Sequence, residues 1–119
     1  MGTQKILIAD DEETIRFVFS QMLEREGLEV VTAQDGAEAV ERFHEVKPDL
    51  VILDIVMPRM NGFEACRKIK GDPDNRLTPI IIVTSSSAAD NRMKGLEAGA
   101  DDFLSKPVDR TEMIARVRS

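Results

Sequence analysis

The sequence predicts an α/β fold, a doubly wound (βα)5 sandwich whose five-stranded parallel sheet carries helices on both faces. Three observations lead to this prediction. Five short apolar runs alternate with five amphipathic segments along the 119 residues. Three of the runs are continuous blocks rich in Val, Ile and Leu, which is typical of parallel strands buried on both faces. Strand–helix alternation of this kind implies right-handed crossovers.

The predicted strands follow the apolar runs. Three runs, at residues 5–9, 50–54 and 80–84, are continuous and are expected to form the centre of the sheet. Two weaker runs, "EVVTA" at 29–33 and "DFLS" at 102–105, are expected to form its edge strands.

The first two predicted helices are recognised by apolar spacing and by end signals. The first stops at Gly27, a residue suited to a helix C-terminus, and the second opens with Asp35 and Glu38 in a capping pattern. Their inward faces are predicted to be Ile15, Val18, Met22 and Leu23 in the first helix, and Ala37, Val40 and either Phe43 or His44 in the second.

Three further helices are predicted in the second half of the chain. Their expected positions are 61–71, about 89–98, and from the residue after Pro107 onward. The last helix repeats the capping pattern with Asp109 and Glu112. The segment 71–79 between the third helix and the fourth strand reads as ordinary turn chemistry.

Composition excludes several classes of function. A net charge of −6 and the absence of Trp and Tyr argue against direct nucleic-acid binding, which needs a basic stripe or a stacking platform. No stretch approaches the ~18 apolar residues of a membrane span, and no signal peptide is evident, so no membrane contact and a cytoplasmic location are expected. The lone Cys66 fits a reducing compartment and is expected to be half-buried. Residues 1–119 have room for one domain.

Acidic residues follow two of the predicted central strands. Asp10 and Asp11 end the first and Asp54 ends the third, and ligands of such sheets bind beyond the carboxyl ends of the strands. If these strands are neighbours, the three carboxylates converge, and oxygen ligands with an excess of negative charge suit Mg²⁺. Glu12 and Glu13 need no such role, because acids are favoured in the first turn of a helix.

Four segments form a specific set of motifs. They are "ADDE" at 9–12, "LDIVMPRMNGFE" at 53–64, "VTS" at 83–85 and "GLEAGADDFLSKP" at 95–107. Through their order and spacing, the sequence resembles the receiver domain of two-component response regulators over nearly its whole length. The resemblance implies a flavodoxin-like strand order of 2-1-3-4-5.

The resemblance also implies a role for each acid. Asp54 would be the phosphoacceptor, attacking the phosphohistidine of a sensor histidine kinase or a phosphotransfer protein. Asp11 and Asp54, with the backbone carbonyl of Val56, would be the Mg²⁺ ligands, and Asp10 would contribute through water. The domain would then catalyse its own phosphorylation and dephosphorylation and would not otherwise be an enzyme.

The same resemblance implies roles for the residues after the fourth and fifth strands. Lys106 would pair with a phosphoryl oxygen as a point charge, and the Thr84 hydroxyl and the Ser85 amide would donate to others. Phe103 would be the switch aromatic that changes rotamer when Thr84 moves. The Lys106–Pro107 bond is expected to be cis.

The output surface implied by the resemblance is residues 88–119, where phosphorylation would shift a two-state equilibrium toward an output domain or target protein. Arginines and lysines on this side read as solvated helix faces. They would also permit a homodimer with cross-subunit ion pairs to Asp101 and Asp102. The basic residues concerned are Arg92, Lys94, Arg110, Arg116 and Arg118.

Rival functions are weaker. A haloacid-dehalogenase-type phosphatase needs a second aspartate where Val56 stands, and a flavin site is incompatible with the acids of "DDEET". The alternative left open is a receiver-like interaction domain that works without phosphorylation. His44 reads as a helix-flank residue, because no Cys/His set accompanies it.

The segments 70–84 and 95–119 most resemble receivers fused to cyclic-di-GMP cyclase or phosphodiesterase domains. A receiver excised from a multidomain regulator is therefore expected, with a free-standing receiver as the alternative. Val56 and Ser86 would flank the route of the water that hydrolyses the phosphoaspartate. An apolar Val56 cannot position this water, so slow hydrolysis is expected.

Overall fold

Strands and helices alternate throughout the computed structural model, which describes residues 3–85 and 89–119. The strands are β1 (Lys5–Ala9), β2 (Glu29–Ala33), β3 (Leu50–Asp54), β4 (Ile80–Thr84) and β5 (Asp102–Ser105). The helices are α1 (Glu13–Glu24), α2 (Gly36–Val46), α3 (Gly62–Gly71), α4 (Ala89–Ala98) and α5 (Arg110–Arg118), with a 3-10 turn at Pro73–Asn75. The five predicted strands are confirmed at their predicted bounds.

The strands form one parallel sheet in the order β2-β1-β3-β4-β5. The predicted order 2-1-3-4-5 is therefore confirmed, with the two weaker runs at the edges. Strand order reverses between β1 and β3, where Ala9 lies beside Leu53. The residues that follow these two positions therefore leave the sheet side by side.

Each face of the sheet has its own core, because side chains alternate along every strand. Leu7, Val51 and Ile82 face α2, α3 and α4, whereas Ile8 and Ile52 face α1 and α5. Central strands β3 and β4 are buried at every residue. Burial of each such aliphatic side chain stabilises the fold by about 1.5–3 kcal/mol. The acids therefore lie at the edge of a sheet that a well-packed core holds in place.

Helix α1 differs from the prediction in one residue of its inner face. Phe19 and Leu23 are buried, while Val18 is 39% exposed, so the assignment of Val18 to the core was wrong. Phe19 lies one helical turn from both Ile15 and Leu23 and completes the inward stripe, since side chains four apart share a helix face. Val18 lies at the margin of this stripe.

The structure also shows which predicted side chains of α2 and α3 are buried. In α2, Phe43 points into the core and His44 is exposed. In α3, Cys66 is fully buried rather than half-buried, because α3 packs closely against α4 and the thiol donates to the Ala98 carbonyl at 3.4 Å.

The expected side-chain cap of α5 is absent. Asp109 occupies the N-cap position, but its carboxylate makes no capping hydrogen bond. The backbone carbonyl of Asp109 instead accepts from the Met113 N–H at 2.9 Å. Among the described residues, every helix falls short of the length and apolar character needed to cross a bilayer.

Candidate functional site

Three carboxylates meet where β1 and β3 end. Asp10, Asp11 and Asp54 each place an oxygen within 4.8 Å of the other two. Asp10 and Asp54 are buried and Asp11 is exposed, so the cluster is shielded from solvent on one side and open to it on the other. The convergence follows from the parallel pairing of β1 with β3, because both chains leave the sheet at the same edge.

Lys106 enters this cluster from the residue after β5. Its Nζ donates to Asp10 Oδ2 at 2.8 Å and lies 3.6 Å from Asp54 Oδ1. The backbone N–H of Lys106 donates to the Thr84 carbonyl at 2.7 Å, which anchors the lysine at the end of β4. The Lys106–Pro107 peptide bond is cis.

Asp10 is held on several sides. Its Oδ1 accepts from the Glu12 N–H at 2.9 Å, while its own backbone carbonyl accepts from the Arg16 guanidinium at 2.8 Å. Sequence reasoning missed Arg16. The sequence gives little indication of this contact, because Arg16 lies six residues after Asp10, in the first turns of α1.

The charges of the cluster do not balance. The pKa of Asp54 is raised to about 6, mainly by burial and then by the charge of the neighbouring Asp10, whereas Lys106 opposes the shift. Burial would lower the pKa of Lys106, but its hydrogen bond to Asp10 and its attraction to Asp54 outweigh burial, and the pKa is raised. Lys106 therefore stays charged, and Asp54 still lacks sufficient compensation.

The three carboxylates lack sufficient positive charge, and a metal cation could supply it. Three carboxylates from two strand ends offer hard oxygen donors, and a divalent cation would lower the pKa of Asp54 toward its ordinary value. The donor set therefore fits Mg²⁺ and does not fit a metal that requires sulfur or imidazole ligands.

The loop after β3 is closed tightly on the acidic site. The Gly62 N–H donates to the Ile55 carbonyl at 2.9 Å, and a Cβ at Gly62 would overlap the Asp54 carbonyl oxygen. Asn61 and Glu64 form the reciprocal cap of α3. Within this loop Val56 is 72% exposed, so its position is set by the backbone on either side.

Thr84 and Ser85 complete the surroundings of Lys106. Thr84 is buried at the end of β4, and Asp54 lies beside Val83 on the adjacent strand. Ser85 is exposed and lines a cavity of about 360 Å³ together with Lys106, Pro107 and residues of α1. Ser86, predicted to flank the route of the hydrolytic water, lies outside the described residues.

Known proteins are similar to this chain in sequence and in fold. A family model described as the response regulator receiver domain matches residues 6–118. The chain belongs to this family. It is a receiver domain of two-component signalling, and receiver domains bind Mg²⁺ in an acidic pocket.

Several relatives are similar over the receiver domain. Response regulator PleD of Caulobacter vibrioides is 43% identical over 115 residues, which cover 97% of this chain and 25% of PleD. The alkaline phosphatase synthesis transcriptional regulatory protein PhoP of Bacillus subtilis is 39% identical over 116 residues, covering 98% of this chain and 48% of PhoP. The receiver domain thus spans less than half the length of these curated relatives.

Solved structures show the same fold. Chemotaxis protein CheY4 of Vibrio cholerae superposes with a TM-score of 0.93 at 31% identity, covering 98% of both chains. The activated N-terminal receiver domain of Klebsiella pneumoniae RstA has a TM-score of 0.90 at 31% identity, covering 97% of this chain and 96% of that chain.

Phe103, the predicted switch aromatic, has a neighbour that was not predicted. Phe103 is buried beneath α4, where a Cβ at Gly95 would lie only 3.0 Å from its ring. The Arg92 guanidinium carbon lies 5.2 Å from the ring centroid, a cation–π distance. Phe103 is therefore enclosed by the backbone of α4 and by an arginine.

Three arginines near the carboxyl end of the receiver domain have partners within the chain. Arg110 and Arg118 both bind Glu26, at 3.0 and 3.1 Å, and Arg116 binds Asp102 at 3.2 Å. All three arginines are exposed, as predicted, and each also forms an ion pair within the chain. A cross-subunit pair between Arg116 and Asp102 would require the intrachain contact to break.

Proposed function

We propose that the chain is a phosphoacceptor switch in which Asp54 receives a phosphoryl group from the phosphohistidine of a sensor histidine kinase or phosphotransfer protein. The observation that carries the proposal is the position of Asp54. Its carboxylate ends a fully buried strand, lies in a three-carboxylate cluster, and has a lysine ammonium 3.6 Å away.

The proposed reaction is the transfer of a phosphoryl group between two nucleophiles. A carboxylate oxygen of Asp54 forms a bond to phosphorus as the phosphorus–nitrogen bond to the donor imidazole breaks. The electron pair of that bond stays on the imidazole nitrogen, and the product on Asp54 is an acyl phosphate. A pKa of about 6 leaves Asp54 mostly ionised at neutral pH, as a nucleophile requires.

The proposed metal ligands are Asp11, Asp54 and the backbone carbonyl of Val56, with Asp10 contributing through water. Bound Mg²⁺ would neutralise negative charge shared by the carboxylate and the phosphoryl oxygens. The unbalanced charge of the cluster and the family membership support this assignment.

Lys106, Thr84 and Ser85 are proposed to bind the phosphoryl oxygens. Lys106 now pairs with Asp10, and a phosphoryl group on Asp54 would offer it a second anionic partner within a short movement. The Thr84 hydroxyl and the Ser85 N–H would supply two further donors, since Thr84 ends and Ser85 follows the strand that adjoins Asp54.

The proposed consequence is a shift of the surface formed by residues 88–119. Thr84 would move toward the phosphoryl group, and Phe103 would change rotamer. Phe103 lies in β5 beside Ile82 of β4, the strand that ends at Thr84. That surface would contact an output domain, a target protein or a second copy. Residues 1–119 would act as one domain within a longer cytoplasmic regulator.

Intact-mass spectrometry tests the proposal. The chain is incubated with acetyl phosphate or phosphoramidate, with and without Mg²⁺, beside Asp54→Asn. The expected result is a single Mg²⁺-dependent, base-labile phosphoryl adduct that Asp54→Asn lacks. If neither phosphodonor nor a panel of histidine kinases yields an adduct, the phosphorylation-independent interaction domain becomes the better account.

A further inference from the structure

Arg59 lies in the loop that follows the proposed phosphoacceptor and has an unusual backbone conformation. Its φ is 66°, in the left-handed region that disfavours side chains larger than glycine. Its guanidinium donates to both carboxylate oxygens of Asp35, from Nε at 3.0 Å and from Nη2 at 3.1 Å. The two parallel hydrogen bonds fix the orientation of the arginine as well as its distance.

Asp35 is itself immobilised at the start of α2. Its Oδ1 accepts from the Glu38 N–H at 2.8 Å, and the carboxylate is mostly shielded from solvent, with 13% of the side chain exposed. The next residue, Gly36, donates its N–H to the Met60 carbonyl at 3.0 Å. A Cβ at Gly36 would overlap that carbonyl, so the contact depends on glycine. Asp35, the N-cap of α2, and Gly36, its first residue, thus hold Arg59 and Met60 of the loop.

The other end of the loop is attached to the acidic site. Gly62 donates to the Ile55 carbonyl, and its Cα packs against the Asp54 carbonyl. Val56 lies between these attachments with a solvent-exposed side chain. A loop held at Arg59–Met60 and at Ile55–Gly62 leaves Val56 little freedom, although its own side chain contributes little packing.

We propose that Arg59 is a positioning residue for the metal site, acting with Asp35 to hold the segment that carries Val56 before Mg²⁺ binds. The inference rests on the proposed function, because it takes the Val56 carbonyl as a metal ligand. Preorganisation lowers the conformational entropy that binding would otherwise remove, so loosening the loop should weaken Mg²⁺ affinity.

Arg59→Gln gives the decisive result, because two effects on Mg²⁺ affinity have opposite signs. Removing a positive charge from the loop that follows Asp54 would by electrostatics alone favour cation binding. Loss of positioning would weaken it. We expect the Kd for Mg²⁺ to rise about threefold, the scale of a well-oriented but solvent-accessible ion pair.

The experiment is a titration of the intact chain with MgCl2, without phosphodonor. Binding is monitored through the amide chemical shifts of residues 54–62. Asp35→Asn keeps an oxygen for the α2 cap and loses the charge, so it should also weaken binding about threefold. The double variant should have the same Kd for Mg²⁺ as the single variant that binds Mg²⁺ less tightly, because both changes remove the same contact. Arg59→Lys should restore part of the affinity.

Arg42→Gln is the matched control, since it removes one charge and one ion pair, to Glu45, within α2. It should leave the Kd for Mg²⁺ unchanged. Urea unfolding of each variant reports stability separately: a purely structural role of Arg59 would lower the urea midpoint without changing the Kd.

An unchanged or tighter Kd in Arg59→Gln would overturn the inference while leaving the proposed function intact. A wild-type chain that binds Mg²⁺ without dependence on Asp54 would overturn the proposed function, and the inference with it. Should Arg59→Gln fail to fold, Arg59→Lys decides the same question, because it keeps the charge and alters only the paired hydrogen bonds to Asp35.

Discussion

Lys106 Nζ forms its short contact with Asp10 Oδ2, at 2.8 Å, rather than with Asp54 Oδ1, at 3.6 Å. The lysine therefore compensates the more deeply buried carboxylate and leaves the proposed phosphoacceptor partly uncompensated. Burial and the charge of Asp10 raise the pKa of Asp54, and Lys106 does not offset them. The contact with Asp10 also means that Lys106 has a structural task in the unphosphorylated protein.

Replacement of Lys106 should therefore destabilise the protein even in the absence of a phosphodonor. Lys106→Gln would leave Asp10 buried without its cation, and we expect a loss of about 2 kcal/mol in the free energy of unfolding. Urea denaturation followed by far-UV circular dichroism measures this change. Lys68→Gln, at an exposed position of α3, should change the free energy of unfolding little. Equal effects of the two variants would contradict a structural role for Lys106.

The ionisation of Asp54 should make the metal-free protein less stable as pH rises. The folded state releases this proton near pH 6 and the unfolded chain near 3.8, so the folded state binds more protons between these values. The contribution of Asp54 to stability is therefore lost as pH increases through this window. Asp54→Asn should gain stability relative to wild type, by about 1–2 kcal/mol above pH 7 after allowance for solvent screening.

Urea unfolding in EDTA between pH 4 and 8 measures that difference. The gain of Asp54→Asn should shrink toward pH 4, where both forms carry a neutral group. The exposed Gln21→Asn, which changes no ionisable group, should show a difference that does not vary with pH. A pH-independent gain in Asp54→Asn would mean that burial of the charge is not its cause.

Gly62 should tolerate no side chain. A Cβ there overlaps the Asp54 carbonyl oxygen, and backbone cannot yield as a flexible side chain does. We expect Gly62→Ala to cost about 3 kcal/mol in the free energy of unfolding. Gly71 offers the matched control, since a Cβ at that position has no neighbour within 4 Å and Gly71→Ala should be neutral. Similar unfolding midpoints for the two variants would argue against the close approach.

Cys66 should be inert toward thiol reagents in the folded protein. Burial raises the pKa of its thiol to about 11, so the reactive thiolate is scarce at pH 8, and the sulfur is also inaccessible. Ellman's reagent should modify the native chain at least about a hundredfold more slowly than the urea-unfolded chain. Rapid modification of the native chain would indicate that α3 separates readily from α4.

Features encoded by neighbouring residues were predictable from the sequence. The strand bounds, the edge positions of β2 and β5, and the cap formed by Asp35 and Glu38 all depend on residues a few positions apart. The convergence of Asp10, Asp11 and Asp54 was also predictable, because parallel strands that are neighbours must end at one edge of the sheet.

Tertiary structure alone decided which distant groups meet. Arg59 and Asp35 are 24 residues apart, and Glu26 pairs with Arg110 and Arg118 across 84 and 92 residues. Such pairs depend on where whole helices pack, and no periodic pattern in the chain encodes them. The choice of Phe19 over Val18 and the choice by Lys106 of Asp10 over Asp54 have the same origin. Local sequence sets the conformation of each segment, whereas the balance of burial and charge is set where segments meet.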